Sequence, residues 1–427
     1  MEAFFNNINP WWFFSNWESK DKHLREWHSQ KIKWVPNWIN ELGLEPFSLN
    51  FVYGIRQAGK TTGLKLLIRE LINRGVDPLS IYYIDLDYVA SLQEFRKIVE
   101  EVIKEMKKRN NEKAYLFLDE VTSIDEWWRV VKYFIDSGEF QNVVITVSCS
   151  STLKLTKIPE KFPGRRGKGK DIQVMPLSFP EFAQIKSGKT KEELLFDTSL
   201  TLSLFEDYLK VGGFPKSINN NPDSSQALIQ GVLSEVYKAK MSAETVQNLI
   251  YSILDKIPSV LSFNSIASDL GISHNTVSEY IEFLKDIFVV GIAYLKRGEE
   301  VIKRKEKKVF FRDPFILRSM SLWVNKEFDE SALLENVVQE HLLRKEGEVA
   351  YYKNSEEIDV VTKNYKIEVK KKRSHKSYPK DVIILDKDEI PFFLIKSLDL
   401  KLGNADSSQR RFTIDSAVEV ENFLGKL

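Results

Sequence analysis

The stretch Leu49-Asn50-Phe51-Val52-Tyr53-Gly54-Ile55-Arg56-Gln57-Ala58-Gly59-Lys60-Thr61-Thr62 decides the fold. Leu49 to Tyr53 is a short apolar run of strand character, and Gly54 to Gly59 is a turn. Thr61 to Asn73 has the period of a helix, with Leu64, Leu67, Ile68 and Leu71 on one face. From Gly54 to Thr61 the turn reads G-x-x-x-x-G-K-[ST]. Its glycines let the backbone bend tightly, so that successive N–H groups can face the phosphates of a nucleotide. Gly54, Arg56, Gln57, Ala58, Gly59, Lys60, Thr61 and Thr62 are the expected nucleotide-binding set. Within it the Lys60 ammonium can reach the β- and γ-phosphates and the Thr61 hydroxyl can ligate Mg²⁺. The helix that follows presents its N-terminus to the anion.

Working outward, Tyr115-Leu116-Phe117-Leu118-Asp119-Glu120 is a buried strand ending in two acids. A carboxylate at that place, Asp119, can hold Mg²⁺. Glu120 is placed to act as general base on an attacking water. A further strand, Val143 to Val147, ends at Ser148-Cys149-Ser150-Ser151. Ser148 is the candidate for a polar residue that senses the γ-phosphate; an ordinary strand-end serine is the alternative. In Pro163-Gly164-Arg165-Arg166-Gly167, Arg165 and Arg166 can supply positive charge to a phosphoryl transition state, in cis or from a neighbouring subunit, or belong to a basic loop with no catalytic part. Asp85 and Asp87 end the strand Ile81 to Ile84, where they orient groups near the site or cap the next helix. Leu92 to Arg109 and Trp127 to Ile135 read as helices, so strands alternate with helices. That alternation predicts an α/β unit with a parallel sheet, its ligands at the carboxyl ends of the strands.

Six of the nine tryptophans fall in the first 38 residues. Asn9-Pro10-Trp11-Trp12 opens that segment as a turn followed by a packing element. The segment is expected to wrap the following domain, a partner surface being the other reading. The 427 residues include 43% apolar and 29% charged residues, as in a globular protein, and the net charge of +1 selects no partner. Cys149 is the single cysteine, which rules out an intrachain disulfide and a cysteine-based zinc site. No apolar run spans a bilayer and no signal peptide is seen, so the expected location is cytoplasmic, without a membrane partner.

Beyond the basic loop Lys154 to Lys170 the pattern becomes mostly helical. Phe263 to Ser273 followed by His274 to Leu284 has helix-turn-helix spacing, with Gly271 at the left-handed turn and Ser273 as N-cap. His274, Asn275, Thr276 and Ser278 would lie on the face able to read a groove. Lys296 to Lys308 follows with seven Lys/Arg and three Glu, and Lys303, Arg304 and Lys305 are its candidates for phosphate contacts. Packing or protein contact is the alternative use of this unit. In the C-terminal part, Glu335 lies on a helix, Asp359 and Glu368 on two strands of an expected hairpin, and Lys370 two residues beyond Glu368 on the same face. The three carboxylates are candidate metal ligands. Lys370 would stabilise negative charge on an attacked phosphate. Acids and lysines alternating on a solvated strand are the plain alternative.

Taken together, these motifs resemble the archaeal and bacterial P-loop ATPases of the AAA+/STAND-related group with a C-terminal winged helix and PD-(D/E)xK nuclease-like domain. The resemblance runs over nearly the whole chain. It is carried by Asn9 to Trp12, Gly54 to Thr62, Tyr83 to Asp87, Leu116 to Val121, Pro176 to Phe182 and Gly212 to Pro215. One departure is Val147 ahead of Ser148, where the family commonly has glycine. The resemblance implies that Gly213 and Pro215, in a helical lid, sit beside the nucleotide. It implies a Trp-rich segment at 1–45, a P-loop core at 46–175, the lid at 176–245, a winged helix at 246–325 and the nuclease-like domain at 326–427. The expected activity is hydrolysis of ATP with Mg²⁺, coupled to DNA engagement, with a homo-oligomer compatible. A STAND-like ATP/ADP switch acting on protein partners and an ATP-regulated nuclease are the rival readings.

Overall fold

The computed structural model describes residues 8–151, 162–298, 300–353, 357–372 and 378–397. Part of the basic loop at 154–170 therefore lies outside the described residues. The chain divides into two compact units, Met1–Met175 and Pro176–Leu427.

In the first unit, helix α1 (Lys22–Ser29) precedes strand β1 (Ser48–Tyr53) and helix α2 (Lys60–Asn73). There follow β2 (Ile81–Asp85), α3 (Leu92–Lys108), β3 (Ala114–Asp119), α4 (Trp127–Asp136), β4 (Val143–Cys149) and the short β5 (Asp171–Gln173). The five strands form one sheet in the order β2-β3-β4-β1-β5, and every pairing is parallel. Both faces are covered, which is why β1, β3 and β4 are apolar almost throughout. Leu116, Leu118, Ile145 and Val147 alternate toward a core shared with α3 and α4. Val52, Tyr115, Phe117 and Val144 point to the opposite core with α2, Trp11 and Trp17.

β2 is an edge strand, and the N-terminal segment covers it. The indole N–H groups of Trp11 and Trp12 both donate to the Ile81 carbonyl, at 3.1 and 2.9 Å. The Asn9 amide brackets Tyr83, donating to its carbonyl at 3.2 Å and accepting its N–H at 2.7 Å. An unpaired edge is thereby satisfied by side chains instead of another strand.

The second unit begins with helices α5 (Phe179–Ser187), α6 (Lys191–Phe196), α7 (Thr198–Val211), α8 (Pro215–Ile218) and α9 (Ser224–Lys238). Next come α10 (Ala243–Lys256), α11 (Phe263–Leu270) and α12 (His274–Asp286). The turn between α11 and α12 has Gly271 in the left-handed region at φ 64°, and the Ser273 hydroxyl caps α12 by accepting the Thr276 N–H at 3.0 Å. Strands β6 (Val290–Arg297) and β7 (Glu300–Phe311) then form an antiparallel hairpin, which Leu261 joins through a bridge to Lys307. Helices α13 (Pro314–Val324) and α14 (Glu330–Glu346) lead to β8 (Ala350–Lys353), β9 (Glu357–Val361), β10 (Lys366–Val369), β11 (Ile383–Leu385) and α15 (Ile390–Ser397).

One sheet runs through this region in the order β11-β10-β9-β8-β6-β7. β8 pairs with β6 in parallel, Tyr294 opposite Ala350. The boundary expected at 325/326 is therefore crossed by a continuous sheet. The shift in composition lies earlier, at Lys296 to Lys308, in the charged part of the β6–β7 hairpin. Its base, Val290 to Ala293 and Val309 to Phe311, is apolar and buried.

Candidate nucleotide site

α2 starts directly at Lys60, after Gly59 in the left-handed region at φ 91°, and no side chain caps its first turn. A helix start of this kind, without a side-chain cap, is one whose first-turn N–H groups could face an anion. The Lys60 ammonium is buried, donates to the Gly54 and Ile55 carbonyls at 2.8 and 3.2 Å, and stands 4.0 Å from Glu120 Oε1. These contacts hold the charge over the loop.

The strand order explains the rest of the site. β4 lies between β1 and β3, so its carboxyl end brings Ser148 beside Asp119. The Ser148 hydroxyl donates to Asp119 Oδ1 and accepts the Glu120 N–H at 3.2 Å. Two residues on, and so on the same side of the extended chain, the Ser150 hydroxyl reaches the Glu120 carboxylate at 2.6 Å. Glu120 itself takes a left-handed backbone at φ 51°, which turns the chain sharply at the strand end. Tyr83, from β2 on the other side of β3, donates its hydroxyl to Asp119 Oδ2 at 2.6 Å. Burial pushes the Tyr83 hydroxyl well up, and the adjoining Asp119 charge adds to it, so the phenol keeps its proton and donates. Asp119 is buried and has no cationic partner within 4.0 Å among the described residues. A buried carboxylate in that state fits a divalent cation. With the Thr61 hydroxyl at the start of α2, it forms the donor set that Mg²⁺ would use.

Asp85 caps the short turn Leu86–Tyr88 and not the next helix: it accepts the Asp87 N–H at 3.0 Å, while the Ser91 hydroxyl caps α3, and burial raises Asp85 to about 6. Arg165 is paired with Asp136 at 2.5 Å. Arg166 is paired with Asp171 at 2.5 Å, bonded to the Leu49 carbonyl at 2.9 Å, and laid over the Phe51 ring. Both guanidinium groups are thus engaged with carboxylates outside the Lys60–Asp119–Glu120 group.

Gly213 and Pro215 belong to the second unit. There the Gly213 N–H donates to the buried Asp313 carboxylate at 3.0 Å and its carbonyl accepts the Leu177 N–H at 3.0 Å. A Cβ on Gly213 would lie 2.1 Å from the Leu177 carbonyl oxygen, so this backbone approach requires glycine. The Pro176-Leu177-Ser178-Phe179 and Gly212-Gly213-Phe214-Pro215 elements therefore meet in one clamp, whose other members are Asp313 and His341. The His341 ring accepts the Phe179 N–H at 2.8 Å on Nε2, which assigns the proton to Nδ1, 2.6 Å from the Val337 carbonyl.

On α12, His274 and Asn275 are exposed, while Thr276 and Ser278 are half-buried. Lys303, Arg304 and Lys305 are exposed on β7. Farther along β7 the character reverses. Lys308 is buried and bonded to Glu335 and Asp359, both at 2.9 Å, and to Glu357 at 2.8 Å. Burial alone would lower its pKa, but the three carboxylates outweigh that and hold it charged. The expected β9–β10 hairpin is present, with Val360 opposite Ile367. Asp359 Oδ2 accepts the Val369 N–H at 3.0 Å, and Lys370 pairs with Glu368. Glu335, Asp359 and Glu368 do lie in one region, but a lysine ammonium bridges the first two. Among the described residues no group of three or more His, Cys, Asp or Glu is arranged to hold a metal ion. Residue types alone did not single out Tyr83, Ser150, Asp313 or Lys308. For Ser150 the two-residue spacing from Ser148 was the available signal.

Residues 47–183 match the AAA domain family, a stretch that includes the parallel sheet of the first unit. Residues 202–327 match a domain of unknown function, DUF8612. An uncharacterised protein of Haemophilus influenzae is 23% identical over 335 residues, covering 74% of this chain and 79% of that protein. An uncharacterised protein of Methanocaldococcus jannaschii is 24% identical over 345 residues, covering 77% and 73%. Among solved structures, the Aeropyrum pernix ORC2 protein in ADPNP and ADP complexes aligns over 66% of this chain and 89% of its own, with 11% identity and a TM-score of 0.42. No helix among the described residues is long and apolar enough to cross a membrane.

Proposed function

We propose that this chain binds ATP with Mg²⁺ at the Gly54–Thr62 loop, hydrolyses it, and uses the nucleotide state to govern how the second unit engages DNA. The observation that carries the reading is the approach of the Lys60 ammonium to Glu120, 4.0 Å, with Asp119 beside it. The match of residues 47–183 to the AAA domain supports it. Lys60 would bind the β- and γ-phosphates, Glu120 would take the proton of the attacking water, and Ser150 would orient that carboxylate. Thr61 and Asp119 would hold Mg²⁺, which when bound offsets the phosphate charge. Ser148 links Asp119 to the Glu120 backbone and is our candidate for reporting the γ-phosphate. Arg165 and Arg166 would have to leave Asp136 and Asp171 to reach a nucleotide, so neither is given a catalytic role.

DNA is our choice of partner because the α11–turn–α12 unit exposes His274 and Asn275, and the β7 strand exposes Lys303, Arg304 and Lys305. We read Glu335, Asp359 and Glu357 as an internal ion-pair network around Lys308, and phosphodiester cleavage forms no part of the proposal. The test is ATP turnover measured with single-stranded, duplex and branched DNA and with none. Turnover that changes with one of these supports the coupling. Unchanged turnover with no DNA binding at low salt would move the chain to the switch class, with protein partners.

A further inference from the structure

We infer that Tyr83 is a positioning residue for the Asp119 carboxylate, and that the N-terminal segment around Asn9 and Asp21 holds Tyr83 in that role. The segment thereby sets how well the nucleotide site takes its divalent cation. The inference rests on the Mg²⁺–ATP reading above.

The argument starts from the register of the sheet. Tyr83 lies opposite Phe117, two residues before the Asp85–Asp119 pair, and its side chain belongs to the core between the sheet and α2. From there its hydroxyl reaches Asp119 Oδ2 at 2.6 Å, while Ser148 donates to Oδ1. With a donor on each oxygen, the plane of the carboxylate is set before any cation arrives. Outer partners of this kind orient metal ligands and raise metal affinity.

Tyr83 is itself held from two directions by the N-terminal segment. Its backbone is bracketed by the Asn9 amide, at 2.7 and 3.2 Å. Its ring lies under the Lys65 ammonium, 3.3 Å from the centroid, and Lys65 stands 3.4 Å from Asp21 Oδ2. Asp21 is also the N-cap of α1, accepting the His23 and Leu24 N–H groups at 2.9 and 3.0 Å. Asn9, Asp21, Lys65, Tyr83 and Asp119 are all buried. Buried polar groups are tolerated only when each is bonded, and these satisfy one another together, so the tyrosine hydroxyl has one place to go.

The test uses the full chain and a fluorescent ATP analogue, with Mg²⁺ titrated at fixed nucleotide and nucleotide titrated in EDTA. Tyr83→Phe keeps the ring under Lys65 and removes the hydroxyl. It should raise the Mg²⁺ midpoint by about tenfold, the lower end for loss of an outer partner. Nucleotide affinity in EDTA should stay within about twofold of wild type, since this support acts on the carboxylate. Asn9→Ala leaves the hydroxyl in place and should shift the midpoint in the same direction. It also keeps the question answerable if Tyr83→Phe fails to fold. A folded Tyr83→Phe with the wild-type midpoint overturns the inference. A shift in Tyr83→Phe with none in Asn9→Ala overturns the part assigned to the N-terminal segment. Wild type that binds no nucleotide in either titration overturns the nucleotide reading and the inference with it. Normal Mg²⁺-dependent binding unaffected by Tyr83→Phe removes the inference alone.

Discussion

Lys60 Nζ lies 4.0 Å from Glu120 Oε1, although Lys60 opens helix α2 and Glu120 follows the end of strand β3. The pairing brings together the cation that would bind phosphate and the carboxylate that would take a proton. It predicts two separable defects. Lys60→Ala should weaken ATP binding by roughly 10–100-fold, the worth of a charge-assisted hydrogen bond. Glu120→Gln should bind ATP as wild type does and lose roughly 100–10,000-fold in turnover, the contribution of a positioned general base. Equilibrium nucleotide binding and single-turnover hydrolysis on both variants check this. Equal loss of binding in the two would count against the assigned roles.

The exposed Lys303, Arg304 and Lys305 should make DNA affinity fall steeply with salt, because each phosphate contact releases counterions. Replacing all three with alanine should lower affinity and reduce the slope of log K against log salt by roughly 2–3, at about 0.9 per contact. Fluorescence anisotropy over a range of salt concentrations reads both quantities. An unchanged slope would assign this hairpin to packing or protein contact.

Lys308 compensates Glu335, Asp359 and Glu357 together. Lys308→Met should therefore destabilise the second unit by roughly 3–5 kcal/mol, the cost of leaving buried charge uncompensated. Lowering the pH should shrink that deficit. Burial already pushes Glu335 upward, and without Lys308 the folded protein would bind protons at a pH where unfolded carboxylates are ionised. Urea unfolding at pH 7 and pH 5 measures the difference. A deficit that grows at the lower pH would contradict the assignment.

His341 gives a pH dependence of the opposite sense. Burial lowers it to about 4 in the folded protein, against an ordinary value of 6.5. Between these values the unfolded chain binds the additional proton, so the contribution of His341 is complete above pH 6.5 and declines as pH falls toward 4. The full span is roughly 3 kcal/mol at about 1.4 kcal/mol per pH unit. Asp313, raised to about 7 by burial, works in the other direction over part of the same range. The check is therefore the difference between wild type and His341→Gln in urea unfolding at several pH values. The advantage of wild type should narrow from pH 7 to pH 4.5. A constant difference would show that His341 does not change protonation on unfolding.

The sequence by itself determined the strand–turn–helix at Leu49 to Asn73, Lys60 at the head of α2, Asp119 at the end of β3, and the turn into α12. Each is encoded in neighbouring residues, by apolar periods of two and 3.6, by a glycine where the backbone must turn, and by a hydroxyl that caps a helix. The tertiary structure alone decided which distant groups meet. Insertion of β4 between β1 and β3 is what turns Ser148 toward Asp119, and strand order has no local signature. Asn9 finds Tyr83 across 74 residues because β2 falls at an edge whose backbone would otherwise be left unpaired. The charged run from Lys296 to Lys308 is uniform in composition, yet Lys303 is exposed and Lys308 is buried. That division follows from burial: the β6–β7 base enters the continuous sheet, and an ammonium taken out of water there is stable only beside the carboxylates that α14 and β9 carry.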